Sequence, residues 1–219
     1  IIYIAMLTNF LKSYHKQIEC LLGIVVVVLA VVAWSANRDL TDSLTIYDIF
    51  PPLGLVAFGL MWTHFVMGAI RRYGRIDSPK ESAYKTVSFG IVLGLLILHP
   101  GLLVLGLYRD GYGPPPFSYI EVYSTQLLAV GMGSIGLTIF LAFELKRWFS
   151  EKSWWKYIEW AQLVGMAAIF YHALQLGGEL KQPWFVAVWW FYGLTLVLAV
   201  GYTKFVSMKK GKSYGEEVV

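Results

Sequence analysis

QIECLLGIVVVVLAVVAWSAN, residues 17–37, carries no charged side chain after Glu19. A helix rises about 1.5 Å per residue, so about 20 such residues cross the roughly 30 Å hydrocarbon core of a bilayer. The stretch therefore reads as a membrane span. It lacks a small-residue cleavage signature and runs a full membrane width, so it is expected to remain in the protein rather than be removed as a signal peptide. The first residue is Ile1 rather than Met, so a short missing or processed N-terminal piece is an expectation.

Five further stretches of the same kind follow, so spans are expected near 18–36, 52–70, 86–108, 123–143, 155–176 and 184–203. Composition agrees: 57% hydrophobic residues, 15% charged residues and a mean hydropathy of +0.58 leave more apolar surface than a water-soluble core of 219 residues can hide. The gaps between spans are too short for a second domain. The expected fold is all-α, a single transmembrane domain over residues 1–219 built as a polytopic six-helix bundle in the cytoplasmic membrane.

Lysine and arginine accumulate on the cytoplasmic side of short membrane loops. With the N-terminus inside, that side receives Lys12 and Lys16; Arg71, Arg72, Arg75, Lys80 and Lys85; Lys146, Arg147, Lys152 and Lys156; and Lys204, Lys209, Lys210 and Lys212. Only Arg38, Arg109 and Lys181 of the 18 fall outside. This asymmetry predicts that the N- and C-termini are both cytoplasmic. It also accounts for the net charge of +4 through topology and contact with anionic lipid headgroups, so no nucleic-acid partner is expected. The single Cys20 excludes an intrachain disulfide and a thiolate metal cluster.

Two histidines interrupt the apolar runs: His99 in LLILHPGLLVLG (95–106) and His172 in AAIFYHALQLGG (167–178). The third and fifth segments both run from inside to outside. His99 lies 14 residues past Lys85 and His172 lies 16 past Lys156, which puts the imidazoles roughly 21 and 24 Å from the inner boundary. Matching depth on two parallel helices is what a bis-histidine haem needs. Ala161, Gly165, Ala168 and His172 recur on one face, a small-residue stripe on which a macrocycle could lie. Pro100 removes a backbone hydrogen bond beside His99 and should bend the third helix, while Gly101 and Gly106 allow close approach. Tyr108 and Arg109, at its outer end, are candidates for propionate contacts. The plainer alternative is that each histidine hydrogen-bonds a neighbouring helix and the stripe is ordinary helix packing. Polar groups at this depth are costly and often functional, which favours the paired reading.

HPGLLVLG (99–106), followed two helices later by a Trp-rich start and YHALQLGGEL (171–180), resembles the ferric reductase-like transmembrane domain. This six-helix haem core is shared by ferric reductases, NADPH oxidases and the haem subunit of bacterial methionine-sulfoxide reductase systems. The likeness is most specific over Val87 to Gly106 and Trp155 to Leu180; elsewhere it is one of topology. It implies haem b held by histidines of the third and fifth helices, here His99 and His172 as iron ligands, with electrons passed across the membrane from an inner reductant. Many members carry a second histidine about four turns deeper on each helix. This chain has Tyr84 or Lys85 and Ile158 or Glu159 there, so one haem, near the outer face, is expected. Lys85 and Glu159 either pair near the vacated position or face the interface separately.

A single outer haem leaves most of the bilayer to bridge. His64 is seven residues from Arg71, roughly 10 Å from the inner side, too far to share the same iron. One reading places a flavin or quinone near His64, Lys85, Arg71 and Arg72; the other makes the arginines of RRYGR topology anchors only. His15 reads as a solvated interfacial residue. No Gly-rich dinucleotide fingerprint is present, so the electron donor is expected to be a separate protein or a quinol, serving an outer electron acceptor. No hydrolase elbow, zinc-protease motif or phosphate loop occurs either. Gly90/Gly94 and Ala129/Gly133 read as helix contacts. The expected function is transmembrane electron transfer through a single bis-histidine haem, an oxidoreductase component. The alternatives are a haem-bearing anchor or relay subunit of a larger membrane oxidoreductase, and a haem-free transporter whose histidines carry protons.

Overall fold

The computed structural model describes residues 2–39, 43–74, 76, 83–144, 152 and 154–216. The described backbone is helical apart from short turns and contains no strand. In chain order the elements are α1 (Ile2–Ala36), α2 (Ile46–Tyr73), α3 (Ala83–Arg109), a short α4 (Phe117–Val122), α5 (Leu127–Glu144), α6 (Trp155–Leu176), a one-turn 3-10 helix (Gly178–Lys181) and α7 (Pro183–Glu216). Four helices, α1, α2, α3 and α7, are long and apolar enough to cross a membrane. α5 is apolar over the shorter stretch Leu127–Ala142. α6 runs 22 residues, but Gln162, His172 and Gln175 dilute its apolar character. The described residues are all-helical, and several apolar helices fit a multi-pass membrane protein.

Helix boundaries differ from the sequence expectation where local chemistry intervenes. α2 begins at Ile46, before Pro51 and Pro52, because the Asp48 carboxylate accepts hydrogen bonds from the Thr45 backbone N–H (2.8 Å) and hydroxyl (2.6 Å) and so closes the first turn. Pro52 has no N–H to give the Asp48 carbonyl, and the Trp34 indole supplies one instead at 2.8 Å. Residues 123–126, expected at the start of the fourth span, form a turn between α4 and α5. Ser124, Thr125 and Gln126 bring side chains there that compete with helical backbone bonds. α3 stays one continuous helix through Pro100.

α2 is the central post, buried continuously from Ala57 to Thr63. α1 meets it through Val26, Ala30 and Ala33, all at most 2% exposed, and turns Ile24, Val28 and Val32 outward as a lipid-facing surface must. Contact is close at Gly59, where an added Cβ would stand 3.0 Å from the Val26 Cβ. α3 packs along α2, and α7 joins it through the Trp62 indole, which donates to the Thr195 hydroxyl at 2.8 Å. α5 and α6 form a second tight pair, and Phe170 of α6 stacks on Trp189 of α7. The bundle is thus two close hairpins, α2–α3 and α5–α6, with α1 and α7 against the first.

Midway along α1, Glu19 is buried and forms a 2.9 Å salt bridge with Arg71, near the C-terminal end of α2. Gly106 admits the Tyr47 ring, as its expected close approach requires, and the Tyr47 hydroxyl donates to Asp110 at 2.5 Å. The expected contacts at Gly90, Gly94 and Gly101 do not form: nothing lies within 4 Å of a Cβ built at any of the three. Arg75 and Lys80, and the side chains of Lys85, Lys156, Ile158 and Glu159, lie outside the described residues, and so does the proposed Lys85–Glu159 pair.

Candidate functional site

His99 and His172 come together. Their ring centroids are 6.4 Å apart and their planes nearly perpendicular, at 85°. Each imidazole is fixed in the same manner, by the partner helix of its own hairpin. The Nδ1–H of His99 donates to the Phe50 carbonyl on α2 at 2.7 Å. The Nδ1–H of His172 donates to the Ala129 carbonyl on α5 at 2.8 Å. A carbonyl oxygen only accepts, so Nδ1 carries the proton in both rings and Nε2 is left with its lone pair.

Four residues beyond each acceptor is a glycine, and the ring lies against it. A Cβ at Gly54 would stand 2.8–3.2 Å from three atoms of the His99 ring; at Gly133 it would stand 2.5 Å from His172 Nδ1 and 2.7 Å from Cε1. Two hairpins of unrelated sequence therefore repeat one device: a glycine notch, a carbonyl one turn earlier, and an imidazole seated between them. Ligating histidines are typically oriented in this way, with the far ring N–H tied to a carbonyl so that the other nitrogen faces the metal.

A cavity of about 220 Å³ opens between the hairpins, with both imidazoles in its wall. Its lining is mainly apolar, drawn from α2, α3, α5 and α6, with Tyr119, Tyr123, Ser134 and Glu179 as further polar members. Glu179 is 4% exposed and its Oε2 has no hydrogen-bond partner among the described residues. Burial pushes its carboxyl up from the ordinary value, opposed by a hydrogen bond from its own backbone N–H. Burial likewise raises the Tyr119 and Tyr123 phenols, with each other's proximity adding for Tyr119.

The two rings stand at the spacing that two imidazoles on one metal would have. Two imidazoles on one metal, each bonded at about 2.0–2.1 Å, have ring centres roughly 6 Å apart, and here the separation is 6.4 Å. The apolar walls suit a porphyrin face. Among the described residues no group of three or more His, Cys, Asp or Glu side chains is placed to hold a bare metal ion.

The other sequence candidates fall elsewhere. Gly165 and Ala168 are buried but absent from the cavity lining. A Cβ at Gly165 would meet Ile139 and Phe140 at 3.2 Å, so this glycine lies in the α5–α6 seam. Tyr108 is 64% exposed, Arg109 is exposed, and neither lines the cavity. His64 sits a few turns inward, 3.1 Å from the Ser88 hydroxyl and stacked on Phe89 at 4.6 Å. Arg71 is committed to Glu19, and Arg72 reaches the Thr203 carbonyl at 3.4 Å. These three side chains engage three different partners rather than converging. His15 is half-buried, with Nδ1 3.0 Å from the Lys12 carbonyl.

Sequence reading missed Gly54, the two carbonyl acceptors and Glu179, and it took Gly133 for a helix contact. A signal did exist, since Ala129/Gly133 already stood out as a small-residue pair; what was missing was the facing residue. Scanned against family models, curated proteins and solved structures, the chain finds no match in any of the three.

Proposed function

We propose that this protein is a membrane cytochrome that carries electrons through one haem b with His99 and His172 as axial ligands. The observation that carries the reading is the pair of facing imidazoles, 6.4 Å apart, with both Nδ1–H groups tied to backbone carbonyls. The likeness of 99–106 and 171–180 to the ferric reductase-like transmembrane domain points the same way. In this reading six helices cross the cytoplasmic membrane, α5 and α6 included, and both termini are cytoplasmic.

Haem b supplies a one-electron couple. What the protein contributes is rigidity and exclusion of water. The glycine notches and carbonyl acceptors hold each ring before any ligand arrives, so little side-chain entropy remains to be lost on binding. Apolar walls from Leu55, Leu96, Leu137 and Ile169 keep water from the space between the rings. The electron donor is a separate protein or a quinol, and the acceptor meets the end of the bundle formed by the α3–α4 turn and the 3-10 helix.

Visible spectroscopy of the full chain, reconstituted with haem b in nanodiscs, tests the reading. Wild type should give a reduced b-type α band with one haem per chain. His99→Ala and His172→Ala should each abolish it, whereas His64→Ala should leave it intact. A wild-type protein that takes up no haem, or a band bleached only by His64→Ala, would sink the assignment.

A further inference from the structure

Glu179 is the one acidic side chain in the cavity wall, and it sits at the end of the bundle that the proposed orientation places outside. It is carried on the 3-10 turn directly after α6, 4% exposed, with Oε2 unpartnered. A buried carboxylate with no salt bridge among the described residues, and with its own backbone N–H as the donor it has, is costly, and a native chain that keeps one has a reason to.

The charged and titratable groups around it are few. On its own turn Lys181 is exposed. Just beyond α1, which packs against this turn, Arg38 lies 4.0 Å from Asp48. α7, which also packs against it, has no ionisable side chain from Pro183 until Tyr192. The other titratable members of the cavity wall are Tyr119, Tyr123, His99 and His172. Among the described residues neither salt bridge involves Glu179. With no salt bridge to Glu179 among the described residues, the group responds to a change of charge in the cavity.

We propose that Glu179 is the proton-coupling group of this site: it binds one proton from the adjoining aqueous phase when the cavity's redox group gains one electron, and releases it on reoxidation. The inference rests on the haem reading above. An added electron makes a second negative charge in a low-dielectric wall unfavourable, and the carboxyl answers by taking up a proton. One electron and one proton enter together, so the net charge of the wall and its occupant is unchanged. Burial already raises the carboxyl's proton affinity from its ordinary value, which moves the exchange toward neutral pH.

The sign follows. Reduction favours the protonated acid, so low pH favours reduction and the midpoint potential falls as pH rises. For one proton per electron the limiting slope is about 59 mV per tenfold change in proton concentration. The experiment is a potentiometric titration of the haem-loaded full chain across the neutral pH range, in wild type, Glu179→Gln and Glu179→Asp. Wild type should show the slope, Glu179→Gln should be flat, and Glu179→Asp should restore a slope because it keeps a carboxyl. A redox-triggered infrared difference spectrum of wild type should gain a protonated-carboxyl C=O band on reduction, and this measurement decides alone if Glu179→Gln does not fold. An unchanged slope in Glu179→Gln, a flat wild type, or no carboxyl band overturns the proposal while leaving the haem in place. Absence of haem from wild type overturns both.

Discussion

Glycine at 54 and 133 gives up side-chain packing to leave room for an imidazole ring, and this is where single atoms govern the site. A methyl group at Gly54 would overlap the His99 ring along an entire edge, and at Gly133 it would reach His172 Nδ1 first. Alanine is the better helix former by about 1 kcal/mol, while overpacking of this kind costs about 1–3 kcal/mol. The two effects partly offset in stability but not in geometry, since each ring must leave its carbonyl. Gly54→Ala and Gly133→Ala are therefore expected to lower haem occupancy severalfold with thermal midpoints shifted only a few degrees. Gly90→Ala, with nothing within 4 Å, should change neither. Absorbance per chain and melting curves on the same preparations check this; normal occupancy in both notch variants would refute the seating argument. The histidines were legible from sequence because ionisable side chains stand out in apolar runs. The notches were not, because a glycine in a membrane helix looks the same whether it faces a ring, another helix or lipid.

Among elements, the least expected contact joins the middle of α1 to the C-terminal end of α2. Glu19 is 3% exposed and Arg71 12% exposed, with 2.9 Å between them, so each charge depends on the other for solvation. Removing one partner of such a buried pair typically costs about 3–5 kcal/mol, because the survivor is stranded; replacing both by apolar groups recovers most of that. Arg71→Ala is expected to destabilise strongly, and Glu19→Leu with Arg71→Leu to recover most of the loss, in reversible unfolding in detergent. If Arg71→Ala costs less than about 1 kcal/mol, the pair is solvated in the membrane-embedded protein and does not pin the helices. Sequence reading assigned Arg71 to topology or to an inner cofactor because arginine near a membrane end is common; its partner lay 52 residues away, beyond any helical periodicity. Element ends were shifted by local chemistry as well. The Thr45–Asp48 cap starts α2 six residues before the expected Pro52, and the polar run at 124–126 opens a turn where a span was expected to begin.

For the whole molecule, orientation is the property that the charge asymmetry predicts and that labelling can test. In a Cys20→Ser background, a cysteine at Ser43 should react with a membrane-impermeant maleimide in intact cells, while one at Lys152 should react only after permeabilisation. Both positions are exposed, so burial does not confuse the comparison. The reverse pattern would invert the proposed topology and move the Glu179 end of the cavity to the cytoplasmic side. Membrane residence, helical class and the two histidines were determined by sequence alone, because hydropathy and an ionisable side chain in an apolar run are local quantities that need no fold to be read. How the helices pair, which carbonyl each imidazole meets, that Gly165 faces α5 while Glu179 faces the cavity, and the 6.4 Å between the rings were decided only by tertiary structure. Those depend on the rotation of each helix about its own axis, and in lipid, where every outward face is equally apolar, close packing sets that rotation rather than hydrophobic pattern.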